Sequence, residues 1–331
     1  VQTCALPIYK LMGDLTGYSA PQDYADLFIT NNAIDESAVT NYIRDLDMRT
    51  GLATVSYDYD GVHYTREYFN SYPDNVLVVR LTADQGGKIN FNTNLTDKTR
   101  GNNLTNTAEG DTITMKSSLR SNGLKVEAQL KVVPEGGDIS VDGSSINVAN
   151  ADAATLILAC GTDYKMELPT FRGEDPHAAV TGRISAAAEK GYADLKEDHV
   201  ADHSALFSRM EIGFNEEIPQ IPTDELIKKY RNMVDNNGGE VPTEAEQRAL
   251  EIICYQFGRY LTIAGSREGS LPTNLQGVWG EGGFAWGGDY HFNINVQMNY
   301  WPTMASNLAE CHVPYNDYLN VLREAGRRAD R

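Results

Sequence analysis

The chain is short of positive charge. It carries 28 Lys and Arg residues against 46 Asp and Glu residues, so its formal net charge is -18 at pH 7. Nucleic acids and anionic membranes are normally bound through a basic face, because their phosphate groups are negative. The composition therefore argues against both kinds of partner, and it is compatible with a neutral substrate.

Cysteine and long hydrophobic runs are also scarce. The four cysteines, Cys4, Cys160, Cys254 and Cys311, are widely spaced and form no CxxC pair. This spacing indicates neither a zinc site nor a disulfide framework. No run of about 18 apolar residues occurs, so no membrane-spanning helix is predicted. We expect no metal and no cofactor.

Both ends of the sequence indicate a piece of a longer protein. Residues 1–8, VQTCALPI, resemble the translation of a common sequencing adaptor, and we exclude them from the fold prediction as an artefact. The last residues, LNVLREAGRRADR, have a helical pattern without a stop signal. No secretory signal is visible, yet the expected location is secreted, periplasmic or at the cell surface of a bacterium.

Residues 9–170 are predicted to form an antiparallel β-sandwich. Apolar and polar residues alternate through Ala53–Tyr59 and again through Val62–Arg66, on either side of Asp60-Gly61, a strong hairpin signal. Further short strands are predicted at Asn75–Thr82, Lys88–Thr93, Thr112–Lys116, Leu124–Val133, Ser145–Val148 and Thr155–Cys160. Tyrosine-rich strand faces occur in sugar-binding modules, but we interpret these as half-buried β-formers.

Residues 171–240 are predicted to form a helical linker. His199 and His203 lie four residues apart in a helical pattern, but no Glu or Cys completes a ligand set, so we interpret them as exposed helix residues. Thr243 and Glu246 then fit a capping box that begins a long helix. An apolar stripe follows at Leu250, Ile253, Cys254, Phe257, Leu261 and Ala264, and it predicts that Cys254 is a buried thiol.

The segment from Ser270 to Pro314 contains all three tryptophans, Trp279, Trp286 and Trp301. It also contains a cluster of neutral amides, Asn293, Asn295, Gln297 and Asn299. Flat aromatic faces beside neutral hydrogen-bonding groups suit a hydroxyl-covered ligand such as a sugar. The alternative is a well-packed junction between a helix and a loop.

Within this segment, His291, Asn293 and Asn295 are spaced two residues apart. On an extended segment they would share one face, so we predict an extended turn that enters a helix near Val296. The two amides could then hold a water molecule and a sugar hydroxyl.

The tryptophans, the carboxylates and the Cys-His pair of the segment allow further interpretations. Trp286 could stack on a sugar, whereas Trp301 is interpreted as a packing residue because Pro302 marks a helix junction. Asp289 could orient His291. Glu281 and Asp289 are the carboxylates near the cluster before Glu310, and they do not form the acid–base pair that inverting glycoside hydrolysis needs. Cys311-His312 is not interpreted as a thiol-protease dyad.

Three motifs, SREGSLPTNLQGVWG, DYHFNINVQMNYWP and NLAECHVP, resemble glycoside hydrolase family 95, which contains inverting α-L-fucosidases and α-L-galactosidases. The sequence from Tyr42 to Leu81 resembles that family's N-terminal β-domain. The resemblance implies a β + α multidomain fold: an N-terminal antiparallel β-sandwich, a helical linker, and then an (α/α)6 barrel. Residues 241–331 would be the first helices of a truncated barrel.

The same resemblance implies roles for individual residues. Asn293 and Asn295 would position the catalytic water together with an aspartate, and a separate glutamate would be the general acid. His291 would contact the sugar, with Trp286 and Gln297 as further substrate-binding candidates. The aspartate and the glutamate would lie beyond Arg331, so the chain alone is expected to be inactive.

The expected activity is hydrolysis of terminal α-L-fucosyl groups, mainly α-1,2-linked, and the expected partners are fucosylated glycans. The alternatives are an α-L-galactosidase, a non-catalytic carbohydrate-binding protein, or a related (α/α)6 enzyme such as a disaccharide phosphorylase. A phosphorylase would need a phosphate cradle, and the Asn-rich loop offers no basic set for one. The sequence does not indicate an oligomeric state.

Overall fold

The computed structural model describes residues 24–31, 33–98, 101–213, 219, 221–279 and 290–329. Within these ranges the chain forms strands first and helices afterwards. The strands are β1 (Ala25–Thr30), β2 (Thr40–Asp47), β3 (Leu52–Tyr59), β4 (Val62–Ser71), β5 (Val76–Ala83), β6 (Ile89–Asp97), β7 (Asn102–Glu109), β8 (Thr112–Ser118), β9 (Lys125–Glu135), β10 (Asp138–Asp142), β11 (Ser145–Ala151) and β12 (Ala153–Thr162). None of the helices in these ranges is long and apolar enough to cross a membrane.

The strands form two antiparallel sheets, which confirms the predicted sandwich. The larger sheet has the order β2-β3-β4-β5-β12-β9-β8-β7, and the smaller has the order β1-β6-β11-β10. Buried side chains such as Leu95, Leu130 and Ile146 fill the space between the sheets. Asp60 and Gly61 join β3 to β4 with φ of 50° and 72°, the positive values that the predicted hairpin turn requires.

Four strands were not predicted: β1, β2, β7 and β10. They are the four edge strands of the two sheets. Edge strands are commonly polar, because exposed apolar edges would pair with other chains. The sequence of β7, NNLTNTAE, is mostly exposed on both faces and therefore lacks the alternation that reveals a half-buried strand.

The first two helices form a layer on the outer face of the larger sheet. Helix α1 spans His177–Lys190 and α2 spans Tyr192–Phe207, with a break at Gly191, whose φ is 81°. Val180, Ile184 and Leu195 pack against residues of β4, β5 and β12, including Phe69 and Ile157. The predicted linker helices are therefore fixed to the sandwich by a hydrophobic core of their own.

His199 and His203 are buried, so the prediction that they are exposed was wrong. The turn between β2 and β3 covers this face of α2. His203 Nε2 donates to the Met48 carbonyl at 2.9 Å, and His199 Nε2 lies 3.3 Å from the Gly51 carbonyl. Gly51 has φ of 71°, and a Cβ there would approach the His203 ring to 2.9 Å. No metal-binding group of three residues occurs in the described ranges.

The remaining helices are α3 (Thr223–Asp235), α4 (Glu244–Gly265), α5 (Asn295–Ala305) and α6 (Val313–Ala329). A short 3-10 helix, Ala309–His312, precedes α6. The predicted capping box at the start of α4 is confirmed. Thr243 Oγ1 accepts from the Glu246 amide at 3.2 Å, and the Thr243 amide donates to Glu246 Oε2 at 2.7 Å.

The predicted buried face of α4 was wrong. Ala249, Gln256, Arg259 and Ile263 are buried, whereas the predicted stripe is half-buried or exposed. Cys254 in particular is exposed rather than buried. The reason is Arg259, which turns its face of α4 inward because its guanidinium bonds backbone carbonyls of neighbouring segments. The side-chain polarity of a single helix does not reveal such partners.

Acid should loosen the contact between α2 and the sandwich. Burial lowers the pKa of both His199 and His203. The folded protein therefore holds fewer protons than the unfolded chain below pH 6.5, so the stability that neutral histidines provide is present above that pH and is lost as the pH falls. We expect the free energy of unfolding to decrease from pH 7 to pH 5 because of these two groups.

Chemical denaturation of wild type and His203→Gln across this pH range measures the effect, and the variant should show a shallower slope. Tyr260→Phe is the matched control, because Tyr260 packs against His203 at 5.7 Å between ring centroids but does not titrate there. Equal slopes for wild type and His203→Gln would contradict the expectation.

Candidate active site

The turn that leads into α5 carries the predicted water-binding amides. Helix α5 begins at Asn295, one residue before the predicted start. The extended approach was wrong, because Ile294 has φ of -162° and ψ of -34°. The carbonyls of His291 and Ile294 accept from the amides of Val296 and Met298 at 3.1 and 2.9 Å. Residues 292–294 thus form a turn, and the alternation of an extended strand does not apply to them.

Asn293 is exposed and Asn295 is half-buried on this turn. Within the described residues, neither side-chain amide forms a hydrogen bond with the protein. Their donors and acceptors are therefore available to water or to a ligand. Gln297 differs, because its Nε2 donates to the Phe292 carbonyl at 2.7 Å. Its amide nitrogen fastens the turn, and its assignment to substrate binding stays a prediction.

The residues on either side of His291 anchor the turn to α6. Phe292 stacks on Tyr318 with ring centroids 5.7 Å apart, and Tyr290 packs against Tyr318 in a tilted arrangement at 4.9 Å. Tyr315, one turn earlier on α6, stacks on Tyr300 of α5 at 5.0 Å. Aromatic pairs at such distances add to the stabilisation from buried area. His291 itself is half-buried between these anchors. Trp286, Asp289 and Glu281 lie outside the described residues.

Tyr300 connects α5 to the loop that follows α4. Its hydroxyl accepts from the Thr273 amide at 2.9 Å and lies 2.8 Å from Ser266 Oγ. Ser266 Oγ in turn donates to the Cys311 carbonyl at 2.8 Å. Because the single serine proton is used there, Tyr300 donates to Ser266. These groups are buried, so the chain of bonds fixes three segments around one phenol.

Asn299 also holds this loop. Its Nδ2 donates to the Asn274 carbonyl, and the Asn274 side chain accepts from the Gln276 amide at 2.9 Å. Asn274 and Gly277 bond each other through their backbones at 3.1 and 3.2 Å, which closes a tight turn. The side-chain amide of Asn299 therefore holds a hydrogen bond within the protein, unlike the amides of Asn293 and Asn295, which have none within the described residues.

The tryptophans behave differently from what the sequence predicts. Trp301 is 62% exposed, so its interpretation as a packing residue was wrong for the described part of the chain. Pro302 lies inside α5 and marks no junction. Trp279 instead packs closely: a Cβ on Gly265 would lie 3.2 Å from its ring. The absence of a side chain at Gly265 lets this indole cover the end of α4.

Comparison with known proteins matches two parts of the chain to models of glycoside hydrolase domains. Residues 191–331 match the family model of the glycosyl hydrolase family 95 catalytic domain, and residues 7–167 match that of the glycosyl hydrolase family 65 N-terminal domain. The chain is 30% identical over 320 residues to "Alpha-L-fucosidase 2" of Arabidopsis thaliana, covering 87% of this chain and 36% of that protein. Residues 191–331 are thus similar to the catalytic domain of glycoside hydrolase family 95.

Two fungal relatives are similar to about the same degree. Proteins named "Probable alpha-fucosidase A" from Aspergillus oryzae and Aspergillus niger are each 31% identical to this chain, over 322 and 333 residues. Both alignments cover 94% of this chain, and they cover 43% and 39% of the two fungal proteins. The chain therefore spans less than half the length of these curated relatives.

Two titratable groups in the 3-10 helix that follows α5, Glu310 and Cys311, are not suited to acid–base or nucleophilic catalysis. Glu310 is bound by Arg209 at 2.7 Å, and this hydrogen bond holds the pKa of Glu310 below its usual range. A general acid needs the opposite shift. Burial raises the pKa of Cys311 to about 11, so its thiol stays neutral.

His312 does not form a dyad with Cys311. Thr303 Oγ1 donates to the Tyr300 carbonyl at 2.7 Å, so it accepts from His312 Nδ1 at 2.9 Å. His312 Nδ1 is therefore a donor in this arrangement. The geometry agrees with the decision to set aside a thiol-protease interpretation.

Sequence reasoning missed Ser266, Tyr300 and Arg259, which position the site without lining it. Tyr300 lies within the NYWP motif. Residue spacing does not predict that its hydroxyl accepts a hydrogen bond from the amide of Thr273, 27 positions earlier in the chain. Such contacts become visible when the chain is folded.

Removal of the Tyr300 hydroxyl should destabilise the site. In Tyr300→Phe the buried Thr273 amide and Ser266 hydroxyl each lose a partner, and we expect a loss of about 1–3 kcal/mol in the free energy of unfolding. Tyr315→Phe is the control, because it keeps the aromatic stack and its hydroxyl has no hydrogen bond within the described residues. If chemical denaturation gives equal losses for both variants, Tyr300 has no special role.

Proposed function

We propose that this chain provides the β-sandwich and the first catalytic-domain helices of an inverting exo-α-L-fucosidase that removes terminal, α-1,2-linked fucose from glycans. The observation that carries the proposal is the pair Asn293 and Asn295, whose amides have no hydrogen-bond partner in the described protein. The match of residues 191–331 to the family 95 catalytic domain and the fucosidase names of the relatives support the substrate class.

Neutral amides suit the positioning of a nucleophilic water. The side-chain carbonyl of one amide can accept one proton of the water and the NH2 group of the other can donate to its oxygen, which leaves the second proton for the base and one lone pair for attack. Two such groups fix the direction of the water's lone pair towards the anomeric carbon. An amide does not titrate near neutral pH, so it orients the water without competing with the base for the proton.

The scaffold beneath these amides favours this role. Positioning contributes to catalysis when the reacting atoms are held in a narrow range of geometries. The aromatic contacts of Tyr290 and Phe292 with Tyr318, and the Gln297 bond to Phe292, restrain the turn from both sides. The proposal assigns to His291, between the two aromatic residues, a contact with a fucose hydroxyl.

The proposal assigns the general base to an aspartate and the general acid to a glutamate outside residues 1–331, as the family resemblance implies. In an inverting mechanism the base removes a proton from the water while the acid protonates the leaving oxygen on the other face of the sugar. Glu310, with its lowered pKa and its ion pair to Arg209, does not replace that acid.

Substitution of both amides tests the water-positioning role. In a protein of the relatives' length that contains this chain, we expect Asn293→Ala/Asn295→Ala to lower kcat on 2′-fucosyllactose by roughly 100-fold, because the water is no longer aligned. Proton NMR of the first product should show inversion at the anomeric carbon in wild type.

Asn320→Ala is the matched control, since Asn320 is an exposed amide on α6, away from the turn. Full activity in the double variant would mean that Asn293 and Asn295 do not position the water. A wild type that hydrolyses L-galactosides but not fucosides would change the substrate, and binding without hydrolysis would favour a carbohydrate-binding protein.

The 331-residue chain by itself should release no fucose from 2′-fucosyllactose above the rate in buffer. The reason is that the proposed acid and base are contributed by residues that it lacks. A coupled assay for free L-fucose, run beside the longer protein at equal concentration, measures this directly. Turnover by the short chain would show that its own carboxylates suffice for catalysis.

A further inference from the structure

The two sheets of the sandwich differ in width, and this leaves a cleft. Among the described residues, sheet β2-β3-β4-β5-β12-β9-β8-β7 has eight strands and sheet β1-β6-β11-β10 has four. Beyond the edge strand β1, the inner face of β2, β3 and β4 borders a cleft of about 900 Å³. This volume lies within the usual range of ligand pockets. Its lining includes Asn31, Tyr42, Val55, Tyr57, Arg66 and Tyr68.

Within the described residues, Arg66 is a half-buried cation whose polar contacts are the hydroxyls of Tyr57 and Tyr68 and not a carboxylate. Its Cζ lies 5.8 Å from the centroid of the Tyr57 ring, and its Nη2 is 3.5 Å from the Tyr57 hydroxyl, a long contact. No Asp or Glu oxygen of the described residues comes within 4.0 Å of its guanidinium. By contrast, the partly buried Arg80 and Arg267 are each paired with a carboxylate at 2.6 Å. An unpaired charge at such a depth is costly and is a common feature of binding sites.

Arg44 adds a second positive charge to the same face. The strand register places Arg44 opposite Val55 and Val55 opposite Arg66, so the three residues form one row across β2, β3 and β4. Residues opposite each other in adjacent strands point to the same face, so the backbones of the two arginines are about 10 Å apart. Arg44 is exposed and, within the described residues, has no ion pair. Glu36 is a carboxylate in the lining, exposed on the rim.

Tyrosines surround the two arginines. Tyr42 is 56% exposed, Tyr68 is half-buried, and Tyr57 lies beneath them, stacked on Tyr64 at 5.2 Å. Tyrosine offers an apolar ring face to the C–H groups of a sugar and a hydroxyl for its oxygens. A guanidinium offers a planar fork that matches a carboxylate or a sulfate. Aromatic faces beside unpaired guanidinium groups thus combine recognition of a sugar ring with recognition of an anion.

We propose that this cleft is a second glycan-binding site, which takes an anionic oligosaccharide with its acidic group on Arg66 and Arg44 and a sugar ring against Tyr42 and Tyr68. The assignment also revises the interpretation of the tyrosine-rich strand faces, since Tyr42 and Tyr68 are open to a ligand. In a chain of net charge -18, this row is a local positive feature that attracts anions at short range. The site does not depend on the fucosidase proposal.

Calorimetric titration of the purified chain with three probes that share a lactose core tests the proposal. They are 3′-sialyllactose, which carries a carboxylate, 3′-sulfated lactose, and neutral lactose. We expect at least one charged probe to bind roughly tenfold more tightly than lactose, because a charged hydrogen bond is gained. The preferred probe identifies the anion, and added NaCl should weaken its binding.

Variants assign the binding to the cleft. Arg66→Gln should weaken binding of the charged probe by roughly tenfold, and Arg44→Gln and Tyr42→Ala, which change exposed side chains, should each weaken it measurably. Arg120→Gln removes an exposed arginine in a distant turn and serves as the charge-matched control. Equal binding of lactose and both charged probes, or unchanged binding in Arg44→Gln and Tyr42→Ala variants that keep the wild-type Tm, would overturn the proposal.

Discussion

The guanidinium of Arg259 is the interaction on which the arrangement of the helices depends. It donates to the carbonyls of Leu206, Phe207 and Met210 at 2.7–3.2 Å, and to that of Ser306 at 3.3 Å. These carbonyls belong to the ends of α2 and α5, where a helix leaves acceptors without partners and carries partial negative charge. One buried cation on α4 therefore joins two helix ends. The ring of Phe207 lies 5.1 Å from its Cζ.

This joint links the sandwich to the candidate active site. Helix α2 is fixed to the sandwich through His199 and His203. Arg259 of α4 bonds carbonyls at the ends of α2 and α5, so it positions α4 and α5 relative to α2. An ion pair between Arg267 and Asp202 reinforces the same link, with Arg267 4.0 Å over the ring of Tyr72 in the β4–β5 turn. The loop after α4 then reaches Tyr300, and α5 begins at the turn that carries Asn293. Each step is a buried polar contact, so the geometry is held by direction as well as by packing.

The neutrality of the site follows from its chemistry. Asn293 and Asn295 are amides, and Glu310, which follows the other end of α5, is paired with Arg209. A water held by uncharged groups keeps its usual basicity until a separate carboxylate acts on it. The proposed anionic-glycan cleft has the opposite character, since neither Arg44 nor Arg66 has an ion pair within the described residues. On these two proposals the chain would present one neutral and one positive binding surface, about which the net charge of -18 says nothing.

The parts of the fold that are determined by residues close together in the chain could be predicted from the sequence. The β3–β4 hairpin and the Thr243–Glu246 capping box depend on neighbouring residues, and both are confirmed. The edge strands could not be predicted, because polar edges lack alternation. The buried face of α4 could not be predicted either, since Arg259 satisfies carbonyls about 50 positions away. The turn at Asn293 was predicted as extended. The reason is that the backbone hydrogen bonds accepted by the carbonyls of His291 and Ile294 cannot be inferred from side-chain polarity.

A high-resolution crystal structure of a protein of the relatives' length with L-fucose bound tests the central claim most directly. In an inverting reaction the anomeric hydroxyl of the product comes from the catalytic water. The account predicts that this hydroxyl lies about 2.7–3.2 Å from the side-chain amides of both Asn293 and Asn295. A fucose bound with its anomeric hydroxyl away from these two residues would contradict it.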